Sequence, residues 1–203
     1  MLEVIEYFLS IMAKKKQIER GQPKVYEILI SLRGTEPLVW RKVLIHEFVD
    51  LSDLHMLIQM VMGWENRHLY SFTINEQKFT DEDSALEMNQ NEAEGVSLNE
   101  VLGDSKQFSY TYDFGDGWQH QLEITKVLDH DARMQYPACI GGENACPPED
   151  CGGPAGFNNL KTVLAGKDSP EKNDLLAWVG GYYNPSTFDP NFVNKHLLWA
   201  DDF

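Results

Sequence analysis

Between Phe108 and Ile124 the chain alternates between apolar or aromatic and polar residues, and the alternation breaks once, at Gly115-Asp-Gly117. Phe108, Tyr110, Tyr112 and Phe114 share one side of the first run, and Trp118, His120, Leu122 and Ile124 share one side of the second. A period of two on both sides of a glycine-rich turn describes an antiparallel hairpin with one buried face. An earlier pair has the same grammar. Tyr26, Ile28, Ile30 and Leu32 alternate, Gly34 to Pro37 make a turn, and Leu38 to Ile45 read as the returning strand. Two such pairs commit the chain to a sheet.

Elsewhere the period lengthens. Leu54, Leu57, Ile58 and Val61 recur at helical steps, with Asp50 or Ser52 placed to cap the helix and Gly63 to end it. Residues Arg67 to Ile74 read as a further strand. Residues 79–105 lack Lys and Arg but carry Asp81, Glu82, Asp83, Glu87, Glu92, Glu94, Glu100 and Asp104. They read as a solvated acidic excursion with a short helix from Ser97. An EF-hand is excluded, because Leu86 stands where the calcium loop needs glycine. Tyr136 to Gly156 read as a long loop rich in Gly, Pro and Cys. Helices are expected from about Phe157 to Ala165, from Pro170 to Val179 behind a Ser169 cap, and from Asp189-Pro190 onward. Strands with an inserted helix, followed by a helical C-terminal third, define an α+β domain with an antiparallel sheet.

The opening residues 1–22 read as a helical extension to a domain of residues 23–203. Leu2, Ile5, Leu9 and Met12 form a stripe, and Gly21 and Pro23 stop it. Such a stripe could pack on the domain or mediate self-association. Acids precede the apolar stretch and lysines follow it, the reverse of a signal peptide, and the stretch is too short to span a bilayer. Three cysteines make no disulfide framework, so the expected compartment is the cytoplasm, with no membrane partner. Seventeen Lys plus Arg against 32 Asp plus Glu give a net charge of −15. Nucleic-acid binding depends on basic surface, so that partner is disfavoured.

Four segments together resemble the plasmid pRiA4b Orf-3-like family: Gly63-Trp-Glu-Asn-Arg-His-Leu-Tyr-Ser-Phe72, Tyr112-Asp-Phe-Gly-Asp-Gly-Trp-Gln-His120, Pro147-Pro-Glu-Asp-Cys-Gly-Gly-Pro-Ala-Gly-Phe157 and Asn184-Pro-Ser-Thr-Phe-Asp-Pro-Asn-Phe-Val-Asn194. Their order and spacing follow the family pattern from about residue 24 to about residue 200, leaving the N-terminal extension outside. The resemblance implies an α+β fold and a cytoplasmic bacterial or archaeal setting. It also brings labels such as transposon passenger and resolvase-like, but no catalytic residue. A recombinase surrounds its nucleophile with arginines, whereas Arg here is confined to Arg20, Arg33, Arg41, Arg67 and Arg133.

Three constellations could carry chemistry. His120 shares an apolar strand face with Trp118, Leu122 and Ile124, and reads either as a hydrogen-bonded core histidine or as a metal ligand or base oriented by Asp113 or Asp116. Cys139, Cys146 and Cys151 with His120 supply the donor types of a zinc site, although no two cysteines have the close spacing such sites favour. Glu149-Asp150 before Gly152-Gly153 could present two acids to a divalent cation, or Asp150 could accept backbone N–H bonds within the turn. His68 could face the same cleft. No phosphate-binding glycine loop or nucleophile elbow is present.

No cofactor is expected unless zinc or another divalent metal occupies such a set. The leading expectation is a non-catalytic interaction module, binding a protein or small molecule through His68, Asp113, Asp116, Trp118, His120, Glu149 and Asp150. The alternatives are a metal-dependent hydrolase using His120 with the loop's carboxylates or thiols, and an accessory protein of mobile elements.

Overall fold

The computed structural model describes residues 23–197. The expected N-terminal helix therefore lies outside the described residues. The two alternating pairs form as read: β1 (Val25–Leu32) with β2 (Val39–His46), and β6 (Gln107–Tyr112) with β7 (Trp118–Leu128). Between them come α1 (Leu51–Met62), β3 (Tyr70–Ile74), β4 (Gln77–Thr80), α2 (Glu82–Met88), β5 (Asn91–Glu92) and α3 (Leu98–Leu102). After β7 follow β8 (Ala138–Glu143), α4 (Gly153–Ala165), α5 (Pro170–Trp178) and α6 (Pro190–Leu197). The eight strands make one sheet in the order β5-β4-β3-β6-β7-β1-β2-β8, antiparallel except for the short β4–β5 pair.

Register shows which side chains share the buried face. Ile30 stands opposite Arg41 on one side and Leu122 on the other, and Leu32 stands opposite Val39 and His120. Tyr110 faces His120 and Tyr112 faces Trp118, while Phe72 and Tyr70 continue the row across β3. Against this face lies α1, whose Leu54, Leu57, Ile58 and Val61 are almost fully buried. Each such side chain contributes about 1.5–3 kcal/mol relative to exposure. Asp50 caps α1 by accepting the Ser52 N–H at 2.9 Å, and Gly63 ends it in the left-handed region at φ 86°. Phe157 and Leu160 of α4 and Val193 of α6 close the same core.

Several boundaries differ from the sequence reading. The acidic stretch is ordered structure: Asp81 accepts the Ser84 N–H at 3.0 Å and caps α2, so Glu82 and Asp83 occupy the first turn, where the helix dipole favours acids. The cysteine loop contains β8, which pairs with the edge of β2 through Trp40↔Glu143 and Val43↔Cys139. Gly141 and Gly142 hid that strand, since glycine weakens a strand signature and is tolerated at an edge. Residues Arg67 to Leu69 are not in a strand. Asn66, at φ 54°, bends the chain after α1, and β3 begins only at Tyr70.

Candidate functional site

The segment after Gly63 is pinned at four points. Trp64 is buried, donates its Nε1–H to the Pro147 carbonyl at 2.9 Å, and stacks on Tyr112 at 4.9 Å between centroids. The Asn66 N–H donates to Gln59 Oε1 at 3.1 Å. The Arg67 N–H donates to the Tyr112 hydroxyl at 3.0 Å, and the Glu65 N–H to Glu149 Oε1 at 2.8 Å. His68 is thereby held at the mouth of the β6–β7 turn.

That turn supplies a carboxylate. Asp113 sits at φ 54° and uses Oδ1 to accept the N–H groups of Gly115 at 2.9 Å and Asp116 at 3.2 Å. Its other oxygen, Oδ2, lies 3.6 Å from His68 Nε2, and the residue is only 7% exposed. The loop after β8 supplies two more acids. Glu149 accepts the Tyr112 O–H at 3.0 Å and places Oε2 3.5 Å from His68 Nε2, while Asp150 places Oδ1 3.1 Å from the same nitrogen. Burial, reinforced by the Glu149 carboxylate, holds the Tyr112 phenol well above its ordinary range, so it remains a neutral donor.

The loop is pressed onto the turn. The Gly152 N–H donates to Asp116 Oδ2 at 3.0 Å. A Cβ on Gly153, which sits at φ +66°, would fall 2.4 Å from the Asp116 carbonyl oxygen, so only glycine fits there. Asp116 therefore holds the loop, and Asp150, expected as a possible acceptor within its own turn, instead presents its side chain to His68.

His68 Nε2 is shielded from solvent and has no hydrogen-bond partner among the described residues, although three carboxylate oxygens lie 3.1 to 3.6 Å away. A divalent ion with bonds of about 2.1 Å separates neighbouring donors by roughly 3.0 to 3.5 Å, whether octahedral or tetrahedral. Donor atoms of His68, Asp113 and Asp150 lie within 4.8 Å of one another, the only such set among the described residues.

Two residues expected on the binding surface are core residues instead. Trp118 is 1% exposed and packs on Trp64, and His120 is fully buried. His120 Nδ1 meets the Tyr110 carbonyl at 3.3 Å rather than Asp113 or Asp116, and its Nε2 has no partner among the described residues. Burial pushes its pKa down to about 3, so the ring is neutral. Nor do the cysteines assemble with His120 into a metal set. Cys139 is buried with Sγ 3.5 Å from the Gly141 carbonyl, all three thiols are free, and burial raises the pKa of each. His68, Asp113, Glu149 and Asp150 thus come together, with Asp116 bracing them. Tyr112 and Trp64, which the sequence reading did not place at the site, are its floor. Their signal was membership of the same two motif segments as Asp113 and His68.

A single α+β sheet whose hairpin, post-helix segment and glycine-rich loop meet in one histidine–carboxylate corner defines the class of protein. The chain belongs to the plasmid pRiA4b ORF-3-like protein family, whose profile it matches over residues 24–192. It is 34% identical over 174 residues to the uncharacterized protein y4hQ of Sinorhizobium fredii, covering 84% of this chain and 89% of that one. It also resembles a crystal structure of protein of unknown function MM3350 from Methanosarcina mazei Go1, with a TM-score of 0.77, 32% identity, and coverage of 84% of this chain and 98% of that one. No described helix is long and apolar enough to cross a membrane.

Proposed function

We propose that the protein is a binding module whose site is the His68–Asp113–Glu149–Asp150 corner, and that the corner holds a divalent cation. The observation that carries this reading is the His68 Nε2 atom, which faces three carboxylate oxygens at 3.1 to 3.6 Å without a hydrogen bond to any. One imidazole with carboxylate oxygens suits Mn²⁺, Fe²⁺ or Zn²⁺ better than Ca²⁺, which takes oxygen ligands alone. The test is calorimetric titration of chelator-treated protein with Mn²⁺ and with Zn²⁺. One equivalent should bind to the wild type and to Cys146→Ser, and neither ion should bind His68→Ala. Undiminished binding by His68→Ala, or none by the wild type, would remove the proposal.

A second reading, a metal-dependent hydrolase centred on His68 rather than His120, is favoured by the 59% exposure of the Asp150 side chain. That exposure leaves the ion a solvent-facing side where a water ligand could be activated. Metal-dependent turnover of activated phosphate or carboxylic esters, lost in His68→Ala, separates it from pure binding. The accessory role at mobile elements rests on the family labels, and the charge of −15 speaks against direct DNA contact.

A further inference from the structure

On β2 the alternation that buries Val39 and Val43 also turns Arg41 inward, between Ile30 on β1 and Gly142 on β8. This guanidinium is 1% exposed, and among the described residues no Asp or Glu forms an ion pair with it. Nε donates to the Val61 carbonyl at 2.9 Å, and Nη1 to the carbonyls of Trp40 at 2.8 Å and Glu143 at 3.0 Å. Nη2 makes no hydrogen bond among the described residues. The carbonyl at the C-terminal end of α1 offsets part of the charge, and the ring of Phe188, 3.8 Å from Cζ, covers one face of it. No thiolate completes the neutralisation, because burial raises the pKa of both Cys139 and Cys146. A buried cation with a free donor and no anionic partner is costly to keep, and its cost is met when an anion arrives.

Arg41 lines a cavity of about 860 Å³ whose other walls include Met60, Met62, Trp64, Phe188 and Val193. That volume is typical of small-molecule sites, and apolar walls with a few polar groups, here Arg41, Ser186, Thr187, Asp189 and His196, are their usual composition. Among the described residues the only carboxylate in the wall is that of Asp189, which uses Oδ1 to accept the Asn191 N–H at 2.9 Å. Phe188 can lie over Arg41 because residue 142 has no side chain: a Cβ there would fall 2.5 Å from the Phe188 ring.

We propose that this cavity binds a small carboxylic acid with an apolar body, its carboxylate on Arg41 Nη2 and its hydrocarbon against the methionines and aromatic rings. With Nε and Nη1 already committed, the guanidinium offers a single nitrogen to one carboxylate oxygen, not the two-nitrogen fork that a free arginine gives to carboxylates and phosphates alike, and the apolar walls suit a hydrocarbon body better than a compact phosphate. The proposal does not depend on a cation at His68.

Titration of the wild-type protein with octanoate and with phenylacetate, followed by calorimetry and by intrinsic tryptophan fluorescence, tests it against the neutral isosteres 1-octanol and phenylacetamide. The acids should bind roughly tenfold or more tightly than the neutral compounds, as a charge-assisted hydrogen bond requires. Arg41→Met should abolish that preference. Should Arg41→Met fail to fold, Phe192→Glu decides, since this residue of the cavity rim is 63% exposed and a carboxylate there should weaken the acids but not the alcohol. Equal affinity for acid and alcohol, absence of binding at 1 mM, or binding of inorganic phosphate in place of octanoate would each overturn the assignment.

Discussion

Acid should destabilise this fold at a pH where carboxylates are still ionised, because two buried imidazoles must take up protons on unfolding. His120 has its pKa depressed to about 3 by burial, and His55 to about 4. Burial keeps His55 neutral, outweighing the Asn66 bond that favours the charged form, and both ring nitrogens are satisfied: Nε2–H donates to Asn66 Oδ1 at 2.8 Å, and Nδ1 accepts the Tyr110 O–H at 2.7 Å, with the ring stacked on Tyr70 at 3.7 Å. Both native pKa values lie below the ordinary 6.5, so the unfolded chain binds more protons. The stabilisation is then fully present above pH 6.5 and is lost as pH falls toward 3 to 4. At pH 5.5 each unfolded histidine is about nine-tenths protonated, giving a combined slope of roughly 2.5 kcal/mol per pH unit. Between pH 7.5 and 5 the loss is about 2 kcal/mol per histidine, about 4 in all, a large share of the 5–15 kcal/mol of a typical domain. His46, also depressed by burial and by the adjacent His130, adds in the same direction. Urea denaturation at half-unit steps, with chelator present so that metal release does not contribute, measures the slope. His120→Gln should remove close to half of it. Uptake of fewer than about one proton per molecule in this window, or a slope unchanged in His120→Gln, would refute the assignment of the two rings as buried and neutral.

Two further outcomes follow from the loop. Gly156→Ala should destabilise the protein by about 3 kcal/mol or more in thermal or urea unfolding, since its Cβ would fall 1.8 Å from the Cys151 carbonyl oxygen; a loss below about 1 kcal/mol would mean that the turn yields. The thiols should react slowly: burial pushes Cys151 up to about 12 and raises Cys146 further, so alkylation of the native protein at pH 8 should proceed far below the rate in urea.

The fold was legible wherever side-chain period decided burial. Phe108 to Ile124 alternates because one face meets α1 and the other does not, and the hairpin follows from that alone. The same alternation already placed His120 beside Trp118 and Leu122, on the face that proves to be core. β8 was hidden because its middle is Gly141-Gly142, and Gly142 is required by the space that Phe188 occupies rather than by strand propensity. α2 was hidden because its opening acids are a cap and a first turn, which composition alone does not distinguish from a solvated run. The corner had its residues in view, but their convergence depends on packing between His68, Asp113 and Glu149, which no local period encodes. Arg41 gave no functional signal at all, since its burial depends on strand facing and its lack of a counter-ion on the whole surrounding shell.

The docking of Gly152 onto Asp116 and of Glu149 onto Glu65 ties together stretches separated by 36 and 84 positions. Such distant closures are slow and come late in folding, because chain entropy is spent before any contact is gained. During synthesis the first hairpin and α1 can settle early, whereas the histidine must wait exposed until the ribosome has released Gly152. A chain terminated near Asp129 would retain most of the sheet and arrive without Glu149 and Asp150, the two acids that complete the corner around His68.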